Sequence, residues 1–429
     1  MNPAIIALDL GTTAFKCGVI AQDGQLVDAP FVAPYELAQS GSRTQCDPQL
    51  YLDMVFDLVA KAANSARRQR LEVKAIGISS QAQTFIPVDM AGKPLDHAVV
   101  WLDDVACQES MELAEQFTDF HLHSGFPKSS PQLFLPKIMW LRRHAALLFK
   151  KTDKFLLINE FVIKHLTGRS YGDSTLQGMG GFFDIRKRTL SSKALKLSAI
   201  TSERLAEIHP AATFAVSFKH PIAKRFGLKA VDVFSCGNDQ CCAAVGAGII
   251  RKGQVLCNFG TAMVVFTPRP TLSPTLKANQ ISGINPLDDK YFLLGFESEC
   301  GAVMAWAHDT LFSGTDYDEM IQLSLEVPPL PGTTLFKPHG DGSFDLKDVS
   351  VRNDRRIICR SMLDYYADAF VKLLRGISGS STIHPIASGG LSASKAWLDH
   401  LSIRAGLKFT KAQCGHAGLL GVAKIINRE

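Results

Sequence analysis

The chain has 429 residues, a formal charge of +5, 46% hydrophobic residues and 20% charged residues. These values predict an ordinary globular protein of two domains and exclude a disordered or fibrous chain. The basic residues form only short clusters without interleaved aromatics, and no apolar run approaches membrane-spanning length, so we expect neither a nucleic-acid partner nor a membrane partner.

The ten cysteines lack the spacing of a zinc site or of a disulfide framework. Several lie in apolar, strand-like contexts, where a free thiol packs as a small hydrophobe. No basic-then-apolar leader precedes Asp9. We therefore expect a cytoplasmic protein with reduced thiols, and we leave open whether it forms a homodimer.

The N-terminal stretch predicts a meander of three strands, over Ala4–Leu8, Phe15–Ile20 and Gln25–Val27. The first turn is Gly11-Thr12-Thr13, whose backbone N–H groups and hydroxyls can surround phosphate oxygens. The carboxylate of Asp9, just before this turn, can face a hydrated divalent cation. Plain hairpins also use glycine and threonine.

The same pattern recurs in the second half of the chain. The strand-like run Gln254–Phe259 ends in Gly260-Thr261 and is followed by the strand-like Met263–Thr267. Two strand, Gly-Thr, strand units predict a duplicated domain with two phosphate-facing hairpins; coincidence of two such hairpins is the alternative. We predict domains over residues 1–246 and 247–429.

Polar residues follow the strand predicted over Val73–Ile78. Because open sheets bind ligands at the carboxyl ends of their strands, Gln83, Trp101 and Asp103 are candidate binders of substrate hydroxyls. The indole would supply an apolar wall. The alternative is that Trp101 is a core residue and that Asp103 is a helix cap.

The stretch Cys236–Gly248 organises the middle of the chain. A buried-strand pattern stops at Gly237, and a helix pattern of small residues follows a few positions later. Between them lie Asp239 and Gln240, and a carboxylate at such a turn can accept a proton from a substrate hydroxyl. An ordinary helix N-cap is the competing interpretation for Asp239.

The C-terminal half predicts a helix from Arg355 to Leu374 and then a strand that enters the turn Gly389-Gly390. Glycines at such a turn let a flat ring lie against the backbone, which would suit adenine. Packing alone would also explain them.

Taken together, Asp9 to Thr13, Lys137 to Leu141, Asn238-Asp239-Gln240, Gly260-Thr261 and Ser388-Gly389-Gly390 resemble, in order and approximate spacing, the FGGY family of carbohydrate kinases. The resemblance covers nearly the whole chain. It implies an α/β fold of two actin-like (ribonuclease H-like) domains with an interdomain cleft, and it implies ATP, Mg²⁺ and a sugar or polyol substrate.

The resemblance also implies roles for individual residues. Asp239 would be the general base and Asp9 would hold hydrated magnesium. Substrate would contact Gln83, Trp101, Asp103, Asp239 and Gln240. The nucleotide would contact Thr12, Thr13, Lys16, Gly260, Thr261, Gly301, Gly389, Gly390 and Ser394.

The chain departs from the family pattern on the substrate side. Ala82-Gln83 replaces the Met-His or Arg-Glu pair of relatives, Val105 stands where an arginine is expected, and His339 to Gly342 replaces a usual loop. These changes fall on the substrate side and the lid, so the sequence supports the fold and the ATP chemistry better than any one substrate. The amide of Gln83 carries no charge, which favours a neutral sugar or polyol, such as the pentulose xylulose, over an acidic sugar. The competing interpretations are a noncatalytic sensor of sugar and ATP, and an actin-like ATPase switch.

Overall fold

The structure is a computed structural model. It describes residues 2–219, 221–225, 227–260, 262–297, 299–329, 336–339, 343–347, 354–378, 383–412 and 415–428, without the side chains of residues 222 and 225. Of the residues singled out from the sequence, Thr261, Gly340, Asp341 and Gly342 lie outside these ranges.

The strands follow one another along the chain as β1 (Asn2–Leu10), β2 (Ala14–Ala21), β3 (Phe31–Pro34), β4 (Ala38–Ser40), β5 (Arg43–Cys46), β6 (Leu71–Ser80), β7 (Phe85–Val88), β8 (Ala98–Val99), β9 (Lys154–Leu157), β10 (Tyr171–Asp173), β11 (Phe183–Asp184), β12 (Thr189–Leu190), β13 (Glu207–His209), β14 (Ala215–Ser217), β15 (Asp232–Asn238), β16 (Gln254–Phe259), β17 (Met263–Arg269), β18 (Gln280–Ile284), β19 (Tyr291–Glu297), β20 (Phe336–Pro338), β21 (Phe344–Leu346), β22 (His384–Ser388) and β23 (Thr410–Lys411).

The α-helices are α1 (Pro48–Arg68), α2 (Cys107–Gln116), α3 (Phe120–Ser124), α4 (Phe134–His144), α5 (Ala146–Lys151), α6 (Ile158–Thr167), α7 (Ser174–Gly178), α8 (Ser192–Ser198), α9 (Pro221–Arg225), α10 (Asp239–Gly246), α11 (Cys300–Leu311), α12 (Tyr317–Glu326), α13 (Arg355–Ser378), α14 (Lys395–Ala405) and α15 (Ala417–Asn427). Short 3₁₀ turns lie at Ser202–Arg204 and Gly390–Ala393.

The chain divides into two compact units. The first comprises the chain up to Gly248 together with Pro270–Phe292 and the residues from His416 onward, and the second comprises Ile249–Arg269 and Leu293–Gly415. The first change of unit lies two residues from the division predicted at residue 246, but the chain then returns to the first unit twice.

The first unit is built on a six-stranded sheet in the order β14-β15-β6-β1-β2-β3. Strand β6 runs parallel to both β1 and β15, so three strands place their carboxyl ends at one edge. In the second unit the sheet order β19-β17-β16-β22-β23 repeats this arrangement, with the hairpin β16–β17 in the place of β1–β2 and the parallel strand β22 in the place of β6. The two strand–turn–strand units expected from the sequence are therefore present.

The third strand of the N-terminal meander is not where the sequence placed it. Residues 25–27 make only an isolated bridge, between Ile20 and Leu26, and the strand that pairs with β2 is β3. The run of three residues is too short to fix a strand, and β3 pairs with the end of β2 nearest the Gly-Thr turn, placing Ala14 opposite Pro34.

Helix α1 illustrates how local sequence signals produce the elements around this sheet. Asp47 accepts a hydrogen bond from the N–H of Gln49 at 2.9 Å, and Pro48 occupies the first turn, where a missing N–H costs nothing. Tyr51, Val55 and Leu58 follow at helical spacing and are fully buried in the core of the first unit.

Helices α10 and α15 cross at van der Waals contact of their backbones. A Cβ atom on Gly246 would lie 1.8 Å from the carbonyl oxygen of Ala417, and one on Gly421 would lie 1.8 Å from that of Cys242. Only glycine permits this approach. Helix α15 thereby becomes part of the first unit.

Within the described part of the chain, the cysteines are free thiols, and all except Cys107 are buried. No helix among the described residues has the length and apolar character needed to cross a membrane.

Candidate active site

Three neighbouring strands of the first unit bring polar side chains to one edge of the sheet. In the register of β1, β6 and β15, Asp9 lies opposite Ser79, and Ser80 lies opposite Asn238. Asp239 follows directly as the first residue of α10. The two carboxylates predicted from separate motifs are thus gathered at one edge of the sheet, on β1 and after β15, the two strands that flank β6.

Asp239 is not the N-cap of α10. That position belongs to Asn238, whose side chain accepts the N–H of Gln240 at 3.0 Å. The Asp239 carboxylate accepts the same N–H, at 2.7 Å, and further hydrogen bonds from the Asn238 side chain and from its own backbone N–H. Burial and, to a smaller extent, the negative charge of Asp9 together raise the pKa of Asp239 to about 7, against the hydrogen bonds that Asp239 accepts.

Asp9 is held by neighbours on two sides. Ser79 donates its hydroxyl to Oδ1 of Asp9 at 2.9 Å, and a Cβ atom on Gly418 would lie 2.8 Å from Oδ2, so the start of α15 closely approaches the carboxylate. Burial raises the pKa of Asp9, while the Ser79 hydrogen bond and the charge of Lys16 oppose this. A carboxylate pair of this kind costs less to bury when a cation lies beside it.

A buried aspartate supports the backbone beneath Asp239. Asp173 accepts the N–H of Gly237 at 3.1 Å and the hydroxyl of Ser235, and its other oxygen caps α7. Gly237 has φ +98°, a conformation that favours glycine, and this turns the chain from β15 into the helix. Sequence reasoning did not single out Asp173.

Gln83 lies in the loop after β6 with φ +69°, in the left-handed region. Its side chain is 8% exposed, and its amide nitrogen donates to the carbonyl of Met179 at 3.0 Å. Such backbone conformations in non-glycine residues are concentrated at functional sites.

Trp101 is partly buried and both of its N–H groups are bonded. Its backbone N–H donates to the hydroxyl of Thr84 at 3.0 Å, and its indole Nε1 donates to the hydroxyl of Thr12 at 2.9 Å. The residue expected on the substrate side therefore contacts the Gly-Thr turn. Neither sequence-based alternative included this contact.

The carboxylate of Asp103 is fully buried, and both of its oxygens accept hydrogen bonds from the protein. It accepts hydrogen bonds from Nε of Arg43 at 3.1 Å and from the backbone N–H groups of Thr44 and Val105, at 3.1 and 3.2 Å. These contacts favour the cap-like, structural interpretation of Asp103 over hydroxyl binding.

The hairpin residues Thr13 and Lys16 differ in exposure. Thr13 is exposed at the tip of the turn, and its carbonyl accepts the N–H of Tyr35 at 3.2 Å. Lys16 is partly buried, and its charge lowers the pKa of His416, although burial is the larger cause. Both residues remain predicted nucleotide contacts.

The second unit contains a cavity of about 630 Å³. Four residues predicted to contact the nucleotide line it: Gly260, Gly301, Gly390 and Ser394. Its walls also include Phe259, Ala302, Ala305, Asp316, Tyr317, Asp318, Leu391 and Ala393. The volume is typical of sites for small-molecule ligands.

Gly389 shapes the end of β22 next to this cavity. Its φ is +87°, and a Cβ atom would lie 2.6 Å from the backbone of Phe259 and from the side chain of Asn258. Ser394 caps α14 by accepting the N–H of Trp397 at 3.1 Å and donates its hydroxyl to Asp318. The cavity wall is thus fixed by backbone packing and by one short polar contact.

The described residues contain no group of three or more histidine, cysteine, aspartate or glutamate side chains that could enclose a metal ion.

Comparison with known proteins identifies the family. A model of the N-terminal domain of the FGGY family of carbohydrate kinases matches residues 4–246. The chain belongs to this family. As a member of the FGGY family, it is a carbohydrate kinase.

The curated relatives have low sequence identity to this chain but match it over most of its length. The chain is 23% identical to a xylulose kinase of Bacillus subtilis over 413 residues, which covers 92% of this chain and 82% of the relative. It is 22% identical to a gluconokinase of the same organism, over 94% of this chain and 83% of the relative.

Solved structures agree in fold. A ligand-bound xylulose kinase of Lactobacillus acidophilus has a TM-score of 0.87 at 19% identity, covering 99% of this chain and 89% of that one. A glycerol kinase of Plasmodium falciparum with ADP has a TM-score of 0.86 at 21% identity, with the same coverage. The α/β fold of two actin-like domains expected for an FGGY kinase is confirmed.

Proposed function

We propose that this FGGY kinase transfers the γ-phosphoryl group of ATP to a hydroxyl of a small neutral sugar or polyol, with a pentulose such as xylulose favoured. The observation that carries the proposal is Asp239. This carboxylate stands beyond the cap of α10, next to Asp9, and its pKa is raised to about 7. A general base is most effective when its pKa lies near the working pH.

Asp239 acts as the general base in this proposal. The substrate oxygen attacks the γ-phosphorus, the bond between that phosphorus and the oxygen bridging to the β-phosphate breaks, and the hydroxyl proton passes to Asp239. General-base help supplies a factor of about 10² to 10⁴, so positioning of the two substrates supplies most of the remainder.

Asp9 fits a hydrated Mg²⁺ for three reasons. The residue is partly exposed, its carboxylate accepts only one side-chain hydrogen bond among the described contacts, from Ser79, and a cation there would offset the repulsion between Asp9 and Asp239. Magnesium neutralises charge on the phosphate oxygens when it is bound. Thr12, Thr13 and Lys16 of the same hairpin contribute hydroxyls, N–H groups and a positive charge.

The nucleotide is assigned to Gly260, Gly301, Gly390 and Ser394, which line the cavity of the second unit, with Gly389 beside it. Part of the cavity wall is small and apolar, through Ala302, Ala305 and Ala393, which suits the flat face of adenine. Thr261 belongs to the same predicted set and lies outside the described residues.

The substrate contacts assigned to the first unit are Gln83, Trp101 and Gln240. Gln83 brings an amide without charge, and Trp101 brings an apolar face, so the proposal favours a neutral substrate over an acidic one. The names of the xylulose kinase relatives support a pentulose. The gluconokinase relative makes an acidic sugar the relevant competitor.

The deciding experiment is a panel of D-xylulose, L-ribulose, glycerol and gluconate, assayed for ADP release with ATP and magnesium and for phosphorylated product by mass spectrometry. We expect the highest kcat/KM with a neutral ketopentose. Gluconate as the best substrate would refute the account of the sugar site. ADP release without phosphorylated product would favour an ATPase, and binding without turnover would favour a sensor.

A further inference from the structure

Four hydrogen bonds near the proposed sugar site form a closed ring. The backbone N–H of Trp101 donates to the hydroxyl of Thr84 at 3.0 Å, and its indole Nε1 donates to the hydroxyl of Thr12 at 2.9 Å. Both hydroxyls then donate to Oε1 of Gln81, at 3.1 Å from Thr84 and 3.3 Å from Thr12. Gln81 and Thr84 are buried, with exposures of 3% and 0%.

Chemistry fixes the direction of every bond in this ring. The two N–H groups of Trp101 can only donate, so each threonine hydroxyl accepts from Trp101 and gives its single proton to Gln81. The amide nitrogen of Gln81 faces the carbonyl of Gly11 at 3.4 Å, and a carbonyl can only accept. The side-chain amide of Gln81 therefore has one consistent orientation.

Further hydrogen bonds hold the ring in place on two sides. On the hairpin side, Gln81 also donates to the hydroxyl of Tyr35 at 3.2 Å, and Tyr35 donates to the carbonyl of Gly11 at 2.8 Å. On the other side, the buried ammonium of Lys137 donates to the carbonyl oxygens of Val100 and Trp101, at 2.7 and 3.0 Å. Displacing Trp101 would leave buried donors and acceptors unpaired, which is costly.

We propose that Gln81, with Thr84, is a positioning residue that ties Trp101 to Thr12, so that the sugar wall sets the geometry of the phosphate hairpin. The proposal rests on the proposed function, which assigns sugar contact to Trp101 and phosphate contact to Thr12. Gln81 itself touches neither substrate. It acts through the two threonine hydroxyls.

If the ring positions Thr12, opening it should weaken the binding of nucleotide. Trp101→Phe keeps an aromatic face but removes the indole N–H, and Thr84→Val removes one hydroxyl at nearly constant volume. Each opens the ring at a residue that is not assigned to the nucleotide. Both should weaken binding of AMPPNP with magnesium about 3- to 10-fold, which corresponds to the loss of one or two net hydrogen bonds.

Thr167→Val is the matched control. Thr167 is 2% exposed, and its hydroxyl likewise donates, to the carbonyl of Ile163 at 2.8 Å, and accepts, from the N–H of Arg169 at 3.2 Å, but it lies at the end of α6 outside the ring. The measurement is calorimetric titration of each purified full chain with AMPPNP and magnesium, without sugar. We expect Thr167→Val to change the affinity less than twofold.

The outcomes separate the two claims. If the unaltered chain binds AMPPNP with magnesium but Trp101→Phe and Thr84→Val bind it equally well, the positioning role of Gln81 is wrong and the kinase proposal stands. An equal loss in Thr167→Val would also overturn the positioning role, since general destabilisation would explain it. If the unaltered chain binds no nucleotide, both proposals fail. Gln81→Met, which removes both the acceptor and the donor, should give the largest loss.

Discussion

Asp239 can serve as a base because a different residue caps its helix. Asn238 is the N-cap of α10 and accepts the N–H of Gln240 in its first turn, so the Asp239 carboxylate is not required to cap the helix. Its pKa of about 7 means that it is roughly half ionised at neutral pH and ready to accept a proton.

We expect Asp239→Asn to lower kcat by at least about 10²-fold while leaving the Kd for ATP nearly unchanged, because an amide cannot accept the proton. Steady-state kinetics and calorimetry measure the two quantities. Asp232→Asn is the control, since Asp232 is exposed at the start of β15, the strand that leads into Asp239, and its carboxylate accepts only the Ser217 hydroxyl among the described contacts. Near-normal turnover in Asp239→Asn would show that the carboxylate has no catalytic role.

Glu160 predicts a dependence of stability on pH. It is fully buried, and burial raises its pKa to about 7, although hydrogen bonds from Gln177 and from the N–H of Leu157 oppose this. Between pH 4.5 and 7 the folded chain holds a proton that the unfolded chain releases. The free energy of unfolding therefore falls as pH rises through this window, by up to about 1.4 kcal/mol per pH unit from this group.

We expect Glu160→Gln to flatten this dependence, because glutamine does not titrate. The measurement is the free energy of unfolding in urea at intervals from pH 4.5 to 8, for both chains. The other buried carboxylates titrate equally in both, so the difference between the two curves isolates Glu160. Parallel curves would mean that Glu160 is ionised throughout the window.

At the scale of elements, the crossing of α10 and α15 depends on backbone contact. Alanine has the higher helix propensity, by about 1 kcal/mol over glycine. At position 421, however, its Cβ atom would meet the carbonyl oxygen of Cys242 at 1.8 Å, and backbone cannot move as a side-chain end can. This clash outweighs the gain in helix propensity, so Gly421→Ala should destabilise the fold.

We expect Gly421→Ala to reduce the free energy of unfolding by about 1–3 kcal/mol or more, as measured by urea or thermal unfolding. Gly415→Ala provides the comparison, since a Cβ atom there would meet nothing within 4 Å. A stabilised Gly421→Ala would mean that the two helices can separate at little cost.

At the scale of the whole molecule, ATP with magnesium should stabilise the fold. A ligand that binds only the folded state at about 100 times its Kd adds about 2.7 kcal/mol. The melting temperature, followed with and without AMPPNP and magnesium, should therefore rise with nucleotide concentration. The same measurement with xylulose alone tests sugar binding separately. An unchanged melting temperature with every nucleotide would count against the kinase assignment.

The sequence was sufficient for the parts of the molecule that depend on local pattern. Strand ends followed by Gly-Thr predicted the hairpins, because turn residues and strand periodicity are local signals. Helix α10 was also expected, but it begins at Asp239, earlier than predicted, because Asn238 caps it. The polar run Ser79 to Gln83 was visible too. Only Gln83 was selected from it. Whether a polar side chain bonds to the protein or faces a ligand depends on partners that are distant in the chain, such as Thr12 for Gln81.

Two features could not be predicted for the same reason. The occupied carboxylate of Asp103 depends on Arg43 and Thr44, some 60 residues earlier. The return of α15 to the first unit depends on Gly246 and Gly421, whose fit to one another is a property of two packed helices and not of either segment alone.

The position of α15 also constrains how the protein is made. This helix covers β6 and approaches Asp9, yet the ribosome must synthesise residues 249–415 before it can appear. At about 5–20 residues per second, this interval lasts roughly ten to thirty seconds. During that time the nascent first unit exposes the apolar surface that Val422 and Ile426 will cover, and the backbone of α10 has no partner. Asp9 and Asp239 therefore acquire their final surroundings only after the second unit has been synthesised.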